Sequence, residues 1–132
     1  MSIHVVRLGF PRAEDEGLRI GTVRRPPRGV PKERFADDDW YDVWLPELAP
    51  SAELVKEAQA AESDADWQAF VRKYRKEMST PSASRLLALL AALSHRTDLA
   101  VGCYCEDETR CHRSELRGLL EELGARMADI PT

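Results

Sequence analysis

The chain has no apolar run approaching the ~20 residues that a membrane-spanning helix needs, so no membrane partner is expected. Its first residues, MSIHVVRLGFPRAEDEG, lack the charged-then-apolar layout of a secretory signal. It also lacks an excess of positive charge: 19 Lys and Arg stand against 23 Asp and Glu, a net charge of -4. A general nucleic-acid binder would be basic, so that class is set aside. Cysteines are few, odd in number and clustered: all three fall within residues 103–111. A secreted disulfide framework would be even and spread along the chain. A cytoplasmic protein with reduced thiols is the expectation. Internal repeats and low-complexity tracts are absent as well.

What is present is enough apolar material, 43% of 132 residues, for one compact domain over 1–132 that folds without a disulfide or metal. Residues 3–8 (IHVVRL) and 18–23 (LRIGTV) read as short strands. Gly21 in the second fits a bulge or a place where something approaches the backbone closely. Residues 32–49 place Trp40, Trp44 and Leu48 at helical spacing behind three aspartates, with Pro46 ending or kinking that helix. The aromatics there read as core. Ser51 is a good N-cap for a helix carrying Leu54, Val55 and Ala58. Residues 66–78 set Trp67, Phe70, Val71 and Tyr74 on one face. Residues 82–95 form a helix apolar nearly all round, with His95 at its C-terminal end in a structural role. Residues 98–104 are apolar on both faces, the pattern of a buried parallel strand. A last helix spans 111–123, with Gly124 as its stop and 125–132 as a short tail. The sum is an α/β fold, a small mostly parallel sheet flanked by helices.

In such sheets ligands bind at the carboxyl ends of the strands. That would bring the stiff loop RRPPRGVP, with Arg24, Arg25 and Arg28, near the stretch CYCEDETRCHRS. The loop reads either as a solvated connector or as an anion clamp built on arginine's planar fork of donors. Cys111 falls at a helix start, where unpaired N–H groups favour a thiolate. His112 and Arg113 act in the same sense, and Glu106, Asp107 and Glu108 against it. Cys103, inside the strand, suits a buried wall position, and any one of the thiols can be simply a small core residue.

Four chemistries can be set against this stretch. Cys105 and Arg110 have four residues between them, and Cys103 and Arg110 have six; a phosphatase-type loop needs the intermediate spacing. A rhodanese-like loop from Cys105 to Arg110 fits better, but Glu106–Asp107–Glu108 would oppose an anionic sulfur. Zinc on Cys103, Cys105, Cys111 and His112 meets unusual spacing, since adjacent Cys111 and His112 rarely share an ion. Neither a metal nor any cofactor is therefore implied. The reading that asks least is an anion site at the start of the last helix, from Arg113, Ser114 and His112 with Arg24 and Arg28.

Beyond these readings, Cys103 followed eight positions later by Cys111-His112-Arg113 resembles the signature of the DUF488 family, a domain of unknown function. The likeness extends over nearly the whole chain in the YeaO-like branch. It is carried by RIGTVRRPPRGVPKE, by Trp44-Leu45 with Leu48-Ala49-Pro50-Ser51, and by Trp67, Phe70, Tyr74 and Arg75. The resemblance implies a small bacterial α/β domain in which Arg24, Pro27, Arg28, Gly29, Cys111, His112 and Arg113 belong to the shared pattern. Val23 stands where the family usually has Asp, and Pro26 where it usually has Trp.

Three functions follow as expectations. The first is a pocket for a small anionic molecule at the last helix, with Arg24, Arg28, Arg113 and Ser114 binding it and an enzyme built around it. The second is a thiol or sulfur-transfer enzyme, or a redox sensor, in which Cys111, His112 and Cys105 do the chemistry. The third is a non-catalytic interaction module using the Trp40–Trp44 segment.

Overall fold

A computed structural model of the chain describes residues 1–105 and 111–129. Four strands, β1 (Ile3–Arg7), β2 (Leu18–Gly21), β3 (Val43–Trp44) and β4 (Leu99–Cys103), form one sheet in the order β1-β4-β2-β3. Every pairing is parallel. Four α-helices accompany it: α1 (Ala52–Ala60), α2 (Asp64–Met78), α3 (Pro81–Leu93) and α4 (His112–Glu122). No helix among the described residues is long and apolar enough to cross a membrane.

β4 is central, and all five of its residues are buried, as its unbroken apolar run predicts. Leu99 and Val101 join Ile3 and Ile20 against Phe70, Tyr74, Leu116 and Leu120 from the helices. Side chains alternate along a strand, so Gly21 and Gly102 look to the opposite face, where they stand opposite one another in register. The ring of Tyr41 lies directly over Gly21, in the space a side chain would need. Around it Leu8, Val23, Cys103 and Cys111 make a second, smaller cluster, with Phe35, Trp40 and Tyr104 packed on it.

The starts of α1 and α2 are capped by the residues that suit them. Ser51 accepts from the Leu54 N–H at 3.3 Å, and Ser63 and Asp66 form a reciprocal capping box at α2.

The helix expected over 32–49 is not there. Lys32–Arg34 and Pro46–Leu48 are single 3-10 turns, and Val43–Trp44 is the edge strand β3. Asp39 takes a positive φ of 63°, which breaks any helix at that point. Trp44 is spent on the sheet: it pairs with Gly21 and donates its indole N–H to Val23 O at 2.7 Å. The tail also departs from expectation. Residues after α4 run beside β1, with Ile3 N–H donating to Arg126 O and Ala128 N–H to Ile3 O, both at 2.8 Å.

Candidate functional site

The carboxyl ends of β1, β2 and β4 open into one cleft of about 1320 Å³. Leu8 and Gly9 enter it from β1, Val23 and Arg24 from β2, and Cys103, Tyr104 and Cys105 from β4. This is the place where a parallel sheet is expected to receive a ligand, and the room suits a molecule of metabolite size. The arginine-proline loop forms one wall, and it is tied to the cysteine strand by Tyr104, whose hydroxyl donates to Arg25 O at 2.8 Å. The mouth carries Arg7, Arg24, Arg25, Arg28 and Lys56. Arg24 is also a brace, donating through Nε to Pro50 O at 3.0 Å and through Nη2 to Ala49 O at 3.2 Å. Arg28 is exposed.

The floor is sulfur. Cys103 and Cys111 are buried and their Sγ atoms stand 2.6 Å apart; Cys105 is exposed. Its backbone N–H donates to Cys103 Sγ at 3.4 Å. The three thiols share few protons' worth of freedom. Hydrogen bonds from the Cys103 and Cys111 thiols hold Cys105 well below the usual thiol value, against the pull of burial, and the charge of Arg113 adds to this. Cys103 is pushed up by its hydrogen bonds to Cys105 and Cys111 and by burial. Cys111 is drawn down by Cys103, but its donation to Cys105 and its burial outweigh that and raise it. Ionisation therefore concentrates on Cys105, the exposed thiol of the three.

His112 is the first residue of α4 and is buried. Its Nε2 lies 2.7 Å from Thr22 O, a carbonyl that can only accept, so Nε2 carries the proton. Nδ1 is then left with its lone pair, 3.6 Å from Cys111 Sγ. Burial lowers the imidazole to about 4, which keeps it neutral.

Of the residues singled out in the sequence, Cys105, Cys111, His112, Arg24 and Arg28 line this one cleft. Arg113 and Ser114 do not. Arg113 is buried and turns its Nη2 to Cys105 O at 2.6 Å, and Ser114 Oγ donates to Cys111 O at 3.1 Å. Both hold the chain around the thiols instead of facing a ligand. The carboxylates Glu106, Asp107 and Glu108, and with them the rhodanese-like spacing to Arg110, lie outside the described residues. Arg7, Lys56 and Thr22 were not marked by any motif. Arg7 had a signal of position, since the last residue of a parallel strand reaches the same rim as the other strand ends.

Cys111 and His112 are adjacent in the chain, yet Sγ and Nδ1 stand 3.6 Å apart. Cys111 is extended, with φ -136° and ψ 152°, and His112 is already helical. The backbone changes direction between them, so neighbouring side chains turn towards one point.

No curated protein and no solved structure matches the chain. A family model described as the active DUF488-N3 subclade matches residues 3–124, a span that takes in every strand, every helix and the whole cleft, and the chain belongs to the DUF488 family.

Proposed function

We propose that this protein is a cysteine-dependent enzyme acting on a small anionic molecule, with Cys105 as the nucleophile. One observation carries the reading: an exposed thiol with two buried thiols behind it lies on the floor of a cleft whose mouth holds five cationic side chains. A cationic mouth gathers and orients an anion. The thiolate is the reactive form of cysteine, and the sulfur neighbours of Cys105 favour it there. Attack by Sγ on an electrophilic centre of the bound anion forms a bond to sulfur as the leaving group departs with its electron pair. Cys111 and Cys103 serve this centre as hydrogen-bond donors. The anion-binding reading is thus retained with Arg24 and Arg28 as its cationic groups, and the thiol reading supplies the chemistry. The likeness of residues 19–33 to the YeaO-like branch supports a bacterial setting for that activity, and the free thiols of Cys103, Cys105 and Cys111 fit a cytoplasmic one.

The test is alkylation of reduced, metal-free protein as a function of pH, with the labelled cysteine identified by peptide mapping. Cys105 is expected to label at pH values well below the ~8.5 of an ordinary thiol, and phosphate or sulfate is expected to slow it. Labelling of all three cysteines only near that ordinary value, with no effect of either anion, would sink the proposal.

A further inference from the structure

Cys103, Cys111 and His112 each place a ligand atom within 4.8 Å of the others, and all three are buried. Two of these distances can be compared with a real coordination shell. Zinc binds sulfur at about 2.3 Å and imidazole nitrogen at about 2.0–2.1 Å, so a sulfur and a nitrogen of one tetrahedron stand about 3.6 Å apart. Cys111 Sγ and His112 Nδ1 are 3.6 Å apart already. Two sulfurs of the same tetrahedron stand about 3.8 Å apart, so Cys103 and Cys111, now at 2.6 Å, must open by a small side-chain rotation.

The outer shell is in place as well. A metal-bound imidazole almost always gives its other N–H to a carbonyl or carboxylate, which fixes the tautomer and aims the free lone pair. Thr22 O does this for His112, at 2.7 Å. The Thr22 hydroxyl in turn donates to Gly102 O at 3.0 Å, so the partner is itself held. Cys105, whose backbone N–H donates to Cys103 Sγ at 3.4 Å, is the exposed thiol beside them and can bring a fourth soft donor from the cleft side. The buried guanidinium of Arg113, close by on Cys105 O, offsets the extra negative charge of a third thiolate.

We propose that Cys103, Cys111 and His112 form a site for a borderline-soft divalent ion of the Zn²⁺ class, with its fourth position facing the cleft and Cys105 as the exchangeable ligand there. Two sulfurs and an imidazole select such an ion over Mg²⁺ or Ca²⁺, which take oxygen. Binding converts each ligating thiol to thiolate and releases its proton, two from Cys103 and Cys111 and a third when Cys105 joins. A held ion also masks Cys105 until an incoming anion displaces that sulfur. The inference stands apart from the catalytic reading: labelling of metal-free Cys105 tests that one, and metal titration tests this one.

The full-length chain is reduced, stripped with chelator and titrated with Co²⁺ as a spectroscopic stand-in, then with Zn²⁺. One Co²⁺ per chain is expected, with thiolate-to-metal charge-transfer absorption and the intense visible bands of a tetrahedral site, both abolished by Zn²⁺. Cys111→Ser is expected to weaken binding at least tenfold, and Cys105→Ser to keep one Co²⁺ with less charge-transfer intensity. Because Cys111→Ser can disturb the fold, unmodified protein gives a second readout: stoichiometric Zn²⁺ should protect all three thiols from alkylation. Absence of the charge-transfer band under excess Co²⁺, or a band unchanged in Cys111→Ser, or thiols equally reactive with and without Zn²⁺, would each overturn the site.

Discussion

The Nε2–H of His112 donates to the carbonyl oxygen of Thr22 across a separation of 90 residues. That bond pins the first residue of α4 to the end of β2, and so holds the cysteine wall of the cleft against the arginine wall. It also decides the state of the imidazole. With Nε2 protonated, Nδ1 is an acceptor facing Cys111, and the edge of the ring packs on Tyr74 at 5.6 Å between centroids. Tyr74 is buried and donates its hydroxyl to Leu48 O at 2.8 Å. A proton on Nδ1 would have to be accommodated in a buried setting, with Cys111 Sγ 3.6 Å away.

A pH dependence follows for the metal-free protein. The folded imidazole titrates at about 4, below the unfolded value of 6.5, because of its burial. Between those values the unfolded chain takes up a proton that the folded chain refuses. Stability is therefore full above about pH 6.5 and falls as pH drops to about 4, by roughly 3 kcal/mol at ~1.36 kcal/mol per unit. Urea unfolding of chelator-treated protein across this range should show the decline, and His112→Gln should flatten it. A slope in this window that survives His112→Gln would assign the dependence to another group.

Two arginines on one loop should separate cleanly. Arg24 braces the carbonyls of Ala49 and Pro50, just ahead of α1, so Arg24→Ala costs stability, about 1–3 kcal/mol for hydrogen bonds from a charged donor. Arg28 is exposed, so Arg28→Ala should leave the unfolding midpoint within about 0.5 kcal/mol of the parent. Its effect belongs to the ligand: phosphate should protect Cys105 from alkylation several-fold less well in Arg28→Ala. Unchanged protection would remove Arg28 from the anion site.

How much of this was legible in the sequence differs element by element. β4 declared itself, because a strand buried on both faces must be apolar at every position. The meeting of the arginine loop and the cysteines followed from the rule that parallel strands end on one rim. Residues 32–49 misled because Trp40, Trp44 and Leu48 share helical spacing for unrelated reasons: one packs on Tyr104, one bonds a strand end, and one sits in the main core. Spacing cannot report a positive φ at Asp39 or the attraction of a tyrosine to a bare glycine. Arg113 belonged to the right motif, yet motif membership does not say which way a guanidinium turns, and this one turns inward. No sequence pattern marks Glu16, and only the fold reveals it as the buried partner of Arg19.

That pair supports a further expectation. Arg19 and Glu16 are both almost fully buried and bonded to each other. Arg19 Nη1 also donates to Phe10 O at 2.8 Å and Asp39 O at 2.6 Å, which fixes the two loops that carry Phe10 and Trp40 into the cleft. Removing one member of a buried ion pair leaves the other charge uncompensated. Glu16→Ala should therefore cost about 3–5 kcal/mol, and Arg19→Met should cost more, because it strands the Glu16 carboxylate and also leaves the carbonyls of Phe10 and Asp39 without their donor. Chemical denaturation of both variants decides the order. Equal costs would mean that the bonds from Arg19 to the loop carbonyls add little to the ion pair.

Gly21 offers the sharpest test of how fold and site are joined. A Cβ on it would run into the ring of Tyr41, and Tyr41 packs in the cluster that contains Cys103 and Cys111. Gly21→Ala must push the ring away, at about 1–3 kcal/mol for overpacking, and the displaced ring presses on the cluster that holds Leu8, Val23, Cys103 and Cys111 and on Phe35. The same substitution at Gly118, inside α4, meets only the end of the Arg75 side chain, at 3.1 Å. There the helix gains from alanine, and stability should rise by about 0.5 kcal/mol. Thermal unfolding of the two variants should thus move in opposite directions. Cys105 alkylation should change in Gly21→Ala and hold in Gly118→Ala, because only the first disturbs the ring that packs beside the sulfurs. If both variants lose stability alike, the contact between Tyr41 and Gly21 is not what limits this face of the sheet.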